Sequence, residues 1–250
     1  MTGELDAVFR PVRAGRAVEE TIERLRQLVR LGVVGAGARL PAERELAERL
    51  AVSRVTLREA LRALASEGYV ESRRGRYGGT FVVERLPAPA RTGRLDAAGL
   101  DDVLRLRHVV ETGAAELAAG RRLSSADRRH LVTTCAAAAA AGPADHRRRD
   151  ARLHLAIAEV TASGSLTTVV ADVRMRLAEW LDGIPPDPER SQAQHAAILD
   201  AILAGDPPAA RAAMAAHVEA TAARLRASHS RPVGETGAGA VVDTPRHPGS

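Results

Sequence analysis

The sequence predicts a mainly α-helical protein, in which a small N-terminal domain of helices and one hairpin precedes an all-helical bundle of about six helices. Residues 37–83 show two short helical patterns and then a strand, turn and strand pattern, whereas residues 99–228 show helical periods alone. Prolines and a glycine between these parts predict a linker. We expect domains at 10–84 and 99–228, a linker at 85–98, and a disordered tail at 229–250 that is rich in Gly, Pro, Thr and Ser.

The second short helix is predicted over residues 54–66, because Ser53 is a suitable N-cap residue and Gly68 a suitable stop. At about 100° per residue, its apolar side chains share one face and its arginines fall on the opposite face. The apolar face comprises Leu57, Ala60, Leu61 and Leu64, and the opposite face comprises Arg54, Val55, Arg58 and Arg62. This helix is therefore expected to pack through its leucines and to present guanidinium groups outward.

A tight turn and a hairpin flank this helix. Pro41, at a predicted first-turn position, opens the preceding helix, and residues 51–53 leave room only for a short turn. After Gly68, residues 69–72 and 80–83 are predicted strands around a basic, glycine-rich turn. Two helices joined by a tight turn and followed by such a hairpin predict a winged helix-turn-helix domain. A solvated charged surface is the simpler explanation of the arginines, but their presence on both the helix face and the wing tip favours DNA binding.

Three segments of this domain form one long motif. They are RLPAERELA at residues 39–47, VSRVTLREAL at 52–61 and GTFV at 79–82, together with Gly37 and Gly68. The motif resembles the DNA-binding domain of the GntR family of bacterial transcription regulators. By this resemblance the predicted DNA contacts are Arg44, Ser53, Arg54, Thr56, Arg58, Arg74 and Gly75. Ala42 stands where the family often has Ser, which removes at most one cap or phosphate hydrogen bond.

The net positive charge lies in the N-terminal part of the chain. Residues 1–91 contain 17 Arg against 12 Asp and Glu, whereas residues 92–250 contain 19 of each kind. This distribution suits DNA binding, because basic side chains release counterions from the phosphates. The single cysteine, Cys135, excludes an intramolecular disulfide, and the sequence has neither a signal-peptide pattern nor a membrane-spanning one. We therefore expect a cytoplasmic protein with no membrane partner.

Four polar residues fall on the apolar faces of the predicted bundle. Asp150 and His154, spaced i to i+4, lie along the edge of one helix. His195 falls in the middle of the apolar face of another helix, and His217 lies on the apolar side of the last one. Taken singly, such histidines are usually hydrogen-bonded core residues. Four converging groups could instead satisfy each other by sharing a divalent metal ion.

The order Asp150-x-x-x-His154, followed by His195 and His217, resembles the FCD effector domain of the FadR subgroup within GntR regulators. This resemblance implies that the four residues bind a divalent metal ion, with Zn as the first choice and Ni, Co, Mn or Fe as alternatives. Three histidines and a carboxylate leave one or two coordination positions open in a five- or six-coordinate ion. A small carboxylate effector could replace water at these positions.

Two further charged residues, Arg107 and Glu111, are expected to face the same interior and to belong to the effector-binding site. Arg107 lies within the apolar stripe of the first helix of the bundle, and Glu111 follows one turn later. Arg107 either forms an i to i+4 salt bridge with Glu111 or clamps the carboxylate of the effector. Ser165 stands where many relatives have Asn, so an amide that could reach the effector or brace the site is missing.

These features predict a DNA-binding transcription regulator, most simply a repressor. In this hypothesis a homodimer binds a pseudo-palindromic operator on double-stranded DNA, and a small organic acid at the metal site changes its affinity. Dimerisation is implied by the family and by the need for two half-sites. Two other interpretations stay open: a helical domain that only dimerises, and a metal-dependent hydrolase, for which the sequence offers no separate general base or nucleophile.

Overall fold

The computed structural model describes residues 17–75, 78–87, 97–143 and 145–229. Over these residues it confirms the predicted fold class, with nine helices and one two-stranded sheet. The elements are α1 (Ala17–Arg30), α2 (Glu43–Leu50), α3 (Arg54–Ser66), β1 (Val70–Arg73), β2 (Gly79–Val82), α4 (Ala97–Ala119), α5 (Ser125–Ala139), α6 (His146–Glu159), α7 (Gly164–Asp182), α8 (Pro188–Ala204) and α9 (Pro207–His229). Residues 10–16 of the predicted first domain, 88–96 of the predicted linker and 230–250 of the predicted tail lie outside the described residues.

The helix-turn-helix consists of α2 and α3, which are joined by a three-residue turn. Ala51 ends α2 in a left-handed conformation with a φ of +51°, and its N–H donates to the last turn of that helix. The Ser53 hydroxyl then accepts a backbone N–H of the first turn of α3 at 3.0 Å, which is the predicted N-cap. The prediction for Pro41 was wrong in detail. α2 begins two residues after it, because the intervening Ala42 is still extended, with a ψ of 144°.

The first helix, α1, has no counterpart among the predicted elements. Its first turn carries Glu19 and Glu20 and its last turn carries Arg30, and these charges interact favourably with the two ends of the helix dipole. Leu25 and Leu28 are fully buried and pack with the leucine face of α3, all four members of which are buried as expected. α1 thus supplies the third side of the small core.

The predicted hairpin is present as β1 and β2, which pair antiparallel and close with Arg73 opposite Gly79. Each strand lies one residue closer to the turn than predicted. The N–H of Leu40 also donates to the carbonyl of Thr80 at 2.8 Å, so the segment before α2 is held against the wing. The hairpin is therefore attached to both ends of the helix-turn-helix.

The second domain contains the six helices α4 to α9, which is the predicted number. α4 packs against α6, α7, α8 and α9 and so forms the centre of the bundle. It begins at Ala97, within the segment predicted as linker. Ser124 and Ser163 cap α5 and α7 at two of the predicted breaks. Among the helices of the described segments, none is long and apolar enough to cross a membrane.

The two domains share apolar side chains as well as polar contacts. Ala151 and Leu155 of α6 and Ala171 of α7 belong to the same buried cluster as the core of the first domain. The Gln27 amide of α1 donates to the carboxylate of Asp172 at 3.3 Å. Other side chains of α6 lie in the main core of the bundle. α6 is therefore built into the cores of both domains.

Candidate metal centre and nucleic-acid interface

Four side chains from three helices meet inside the bundle. Asp150 and His154 come from successive turns of α6, His195 from α8 and His217 from α9. All four residues are buried, and one ligand atom from each lies within 4.8 Å of the others. Each residue lies on a helix face that also carries buried apolar residues, and burial of these faces directs the polar groups into one interior. The four residues that the sequence singled out as metal ligands are thus brought together.

Two of the separations between ligand atoms in this cluster equal those expected for ligands of one ion, and all lie within 4.8 Å. His154 Nε2 lies 3.1 Å from His217 Nε2, and His195 Nε2 lies 3.2 Å from Asp150 Oδ1. Ligand atoms that each bind a Zn-sized ion at about 2.1 Å are separated by about 3.0–3.4 Å. The Nε2 atom of His195 has no hydrogen-bond partner among the described residues, despite its closeness to Asp150. A buried nitrogen in this state is costly unless it binds an ion or another group.

Three of the four cluster residues, Asp150, His154 and His217, have the protonation states that metal binding requires. Burial lowers the pKa of His154 to about 4, although Glu111 opposes the shift. Burial, reinforced by the neighbouring His154, lowers the pKa of His217 well below its ordinary value. Burial alone would raise the pKa of Asp150, but Arg174 and the nearby histidines bring it well below the ordinary range. His154 and His217 are therefore neutral at pH 7 and Asp150 is ionised, so these ligands need lose no proton to an incoming metal ion.

A second layer of side chains orients two of the imidazoles. Glu111 Oε2 lies 2.9 Å from Nδ1 of His154, and Gln194 Oε1 lies 3.1 Å from Nδ1 of His217. An acceptor at Nδ1 favours the tautomer with the proton there, which leaves the Nε2 lone pair for the centre of the cluster. Glu111 is predicted from the sequence as an effector-binding residue, whereas Gln194 was not predicted, although it directly precedes His195.

A buried charge network adjoins the cluster. Arg107 and Glu111 form the i to i+4 salt bridge that was one of the two predicted alternatives, with Nε of Arg107 3.0 Å from Oε2 of Glu111. Arg174 of α7 donates to Oδ2 of Asp150, and its Nη1 lies 3.5 Å from Oε1 of Glu111. All these residues are buried. Arg174 was not predicted from the sequence, because its direction depends on how α7 is rotated against the neighbouring helices. The effector role of Arg107 stays a prediction.

The predicted DNA contacts lie on exposed parts of the first domain. Arg44, Arg54 and Arg58 are exposed, with Arg58 Nε 2.8 Å from Glu43 and Arg44 Nη1 3.8 Å from Glu48. Exposed ion pairs of this kind contribute little to stability, so both arginines can exchange their carboxylate partner for a phosphate or a base at small cost. α3 therefore carries exposed guanidinium groups, and their contact with DNA stays a prediction.

The remaining predicted contacts are a capping pair and the wing tip. The Ser53 hydroxyl accepts the N–H of Thr56 and lies 2.9 Å from the Thr56 hydroxyl, so both side chains already stabilise the start of α3. A phosphate near this helix N-terminus would add to that arrangement rather than replace it. Arg74 is exposed, and Gly75 has a φ of +107°, a conformation that suits glycine in a tight turn.

A winged helix-turn-helix joined to a helical bundle with an inward-facing cluster of histidines defines a two-domain, DNA-binding transcription regulator. A model of "Bacterial regulatory proteins, gntR family" matches residues 17–82, and an FCD domain model matches residues 102–220. The chain therefore belongs to the GntR family of bacterial transcription regulators and carries an FCD domain, as the motifs predicted.

Individual relatives agree with this assignment. The chain is 35% identical over 221 residues to the "Putative L-lactate dehydrogenase operon regulatory protein" of Escherichia coli (strain K12), covering 81% of this chain and 84% of that protein. It is 30% identical over 219 residues to the Exu regulon transcriptional regulator of the same strain, covering 82% and 83%. The solved structure of E. coli McbR/YncC covers 86% of this chain and 100% of its own, with a TM-score of 0.54 and 22% identity, and supports the fold. The family and these relatives are transcription regulators rather than enzymes, so the interpretation as a metal-dependent hydrolase is rejected.

Proposed function

We propose that this regulator changes its affinity for an operator when a small organic acid binds at a divalent metal ion in the helical domain. The observation that carries the proposal is the convergence of Asp150, His154, His195 and His217 within 4.8 Å. These four residues would hold the ion, and Zn suits this mixed nitrogen and oxygen set, as Ni, Co, Mn or Fe would. When bound, the ion would supply positive charge and one or two open positions for oxygen ligands.

The charge of the surrounding network favours an anionic effector. Arg107 and Arg174 are balanced by Asp150 and Glu111 without any ion, since the four residues are buried together. A divalent ion would therefore add two uncompensated positive charges to a dry interior. Nη1 of Arg107 and Nε of Arg174 are also buried without a hydrogen-bond partner in the described part of the chain. A carboxylate would neutralise the excess charge and accept hydrogen bonds from such donors.

The relatives suggest which acids to test first. One relative is named for an L-lactate dehydrogenase operon, so hydroxy acids are the first class, followed by sugar acids and dicarboxylates. A ligand that binds only the native state raises the melting temperature by mass action. A thermal-shift screen should therefore identify an acid that stabilises the metal-loaded protein. The same acid should have a much smaller effect after chelation, because one of its binding partners is then absent.

Metal content provides the direct test of the site. Protein purified without chelator should contain about one metal ion per chain, as four ligands for a single ion imply. A His195→Ala, His217→Ala double variant should lose that metal. His108→Ala is the matched control, because this histidine is 40% exposed and lies outside the cluster. Equal metal in the double variant and the control would mean that the ligand set is wrong. An operator affinity that is unchanged by chelation would instead favour the alternative in which the helical domain only dimerises.

We propose further that a homodimer places two copies of α3 on a pseudo-palindromic operator. Arg54 and Arg58 would contact bases, with Arg44, Ser53, Thr56, Arg74 and Gly75 at phosphates or bases nearby. Arg54→Ala or Arg58→Ala should cost about 1–3 kcal/mol of DNA-binding free energy and relax preference at one base pair, if the replaced arginine reads a base. Gel-shift titration against sequences enriched from a random pool measures both effects. Arg190→Ala, an exposed change on α8, is the control, and unchanged binding by both α3 variants would reject this interface.

A further inference from the structure

A pocket lined by apolar residues and arginines lies between the two domains, outside the cluster of histidines. Its volume is about 400 Å³, and it lies between the end of α1 and the helices α6 and α7. Four arginines line it: Arg30 from the first domain, and Arg147, Arg148 and Arg174 from the second. Asp182 is the one carboxylate among its described lining residues. Four of its five charged lining residues are therefore arginines, although Arg30, Arg148 and Arg174 also contact carboxylates.

Some of these guanidinium groups have donors with nothing to bind. Arg148 is 8% exposed and donates through Nη2 to Asp145 at 2.6 Å, while its Nη1 is buried without a hydrogen-bond partner in the described part of the chain. Arg174 is 3% exposed, and its Nε atom is in the same state, whereas its Nη1 lies 3.5 Å from Oε1 of Glu111. A buried charged donor without an acceptor destabilises the folded protein, and a ligand in the pocket would supply the missing acceptor atom.

The backbone of the first domain approaches one of these arginines closely. Gly32 follows α1 with a φ of +68°, and a Cβ placed on it would lie only 2.7 Å from Cγ of Arg148. The glycine thus lets the stem of Arg148 lie directly against the first domain. Arg30 reaches the pocket from the same side, with its Nη2 3.4 Å from Oδ2 of Asp182. Both domains therefore contribute to the positive lining.

We infer that this interdomain pocket binds a small anion with at least two charged oxygens, of the phosphate or dicarboxylate class. A planar guanidinium group can donate two parallel hydrogen bonds to such an anion. An anion in this pocket would accept hydrogen bonds from the unpartnered N–H groups of Arg148 and Arg174. The site goes beyond the proposed metal-linked effector site. The two share only Arg174, which contacts Asp150 on one side and lines the pocket on the other. An anion here would be held by both domains.

The test uses inorganic phosphate as the first probe and succinate as the second, in isothermal titrations of the full chain at constant ionic strength after chelation. Arg148→Ala should raise the Kd for the anion by about tenfold, the loss expected for one charge-assisted hydrogen bond. Arg149→Ala is the matched control, because this neighbouring arginine is exposed and does not line the pocket, and its Kd should stay within about twofold. The probe that binds more tightly identifies the class of anion.

Two further variants keep the result interpretable. Arg147→Ala and Arg148→Lys should also weaken binding, and they address the pocket if Arg148→Ala fails to fold. The His195→Ala, His217→Ala double variant should bind the anion as the original chain does. Equal affinities in the pocket variants and Arg149→Ala would overturn the inference. Loss of binding in the double-histidine variant alone would also overturn it, by placing the anion at the histidine cluster, and would leave the proposed function intact.

Discussion

Glu111 is the residue whose replacement tests the buried charge network most directly. Its carboxylate is 1% exposed and lies within 3.5 Å of three groups: Arg107, His154 and Arg174. Replacement by Gln preserves the shape but removes the charge, which leaves two buried guanidinium groups opposite Asp150 alone. Removing one partner of a buried ion pair costs about 3–5 kcal/mol, because the remaining charge is uncompensated in a medium of low dielectric constant.

This loss of free energy corresponds to a shift in the melting temperature. For a chain of this size, 1 kcal/mol shifts the melting temperature by about 2–4 °C, so Glu111→Gln should lower it by about 6–20 °C. Glu116→Gln is the matched control on the same helix. Glu116 also pairs with an arginine, Arg211, at 2.7 Å, but its side chain is 43% exposed. Exposed pairs contribute about 0–1 kcal/mol, so the control should shift by less than about 4 °C.

The assay is thermal unfolding followed by circular dichroism, with both variants and the original chain in chelator. A Glu111→Gln shift no larger than that of Glu116→Gln would refute the buried network. Metal titration gives a second measurement on the same proteins. Glutamine still offers an amide oxygen to Nδ1 of His154, so metal affinity should fall by about 10–100-fold rather than disappear.

Three further outcomes are expected. The pKa of His154 is about 4 in the folded chain and about 6.5 in the unfolded chain. As the pH falls, the unfolded state therefore binds the proton first, and the stability that is present above pH 6.5 is lost towards pH 4. In metal-free protein this histidine alone should lower the free energy of unfolding by about 2–3 kcal/mol between pH 7 and pH 4.5, measured by urea unfolding, and equal values at the two pH values would contradict the burial argument. Ser53→Ala should cost about 1 kcal/mol in the same assay, because the N–H of Thr56 loses its cap, and no change would mean that the cap is not formed in solution. Gln194→Ala should weaken metal binding by about 10–100-fold in competition with a fluorescent chelator, and unaltered affinity would exclude its role in orienting His217.

Local patterns in the sequence were sufficient for the helices that carry their own signals. α3 was predicted because a cap at Ser53, a periodic leucine face and a stop at Gly68 all agree. α1 was not identified, although its acidic start and basic end are visible in hindsight. The start of α2 was misplaced because a proline can precede a helix by several residues, and the conformation of Ala42 decides where the first turn begins.

The candidate site was predictable to the extent that a single helix determines it. Asp150, His154 and His195 lie among apolar neighbours on their own helices, so their inward direction follows from helical periodicity. Arg174 and Gln194 have roles that depend on how α7 and α8 are rotated against α6 and α9, and that rotation is set by packing rather than by sequence period. Their contacts could therefore be read only from the three-dimensional structure.

α6 links the two halves of the molecule through the spacing of its residues. Asp150 and His154 face the cluster, whereas Ala151 and Leu155, one position later in each case, lie in the core shared with the first domain. Consecutive residues on a helix point about 100° apart, so these two faces are adjacent and rigidly connected. Under the proposed function, a shift of α6 that tightens ligand contacts at Asp150 and His154 would also displace Ala151 and Leu155 within the core shared with the first domain. Interfaces of this kind convert shifts of about 1–2 Å into new domain placements, and the coupling would be reciprocal, so DNA binding should change affinity for the effector by the same factor.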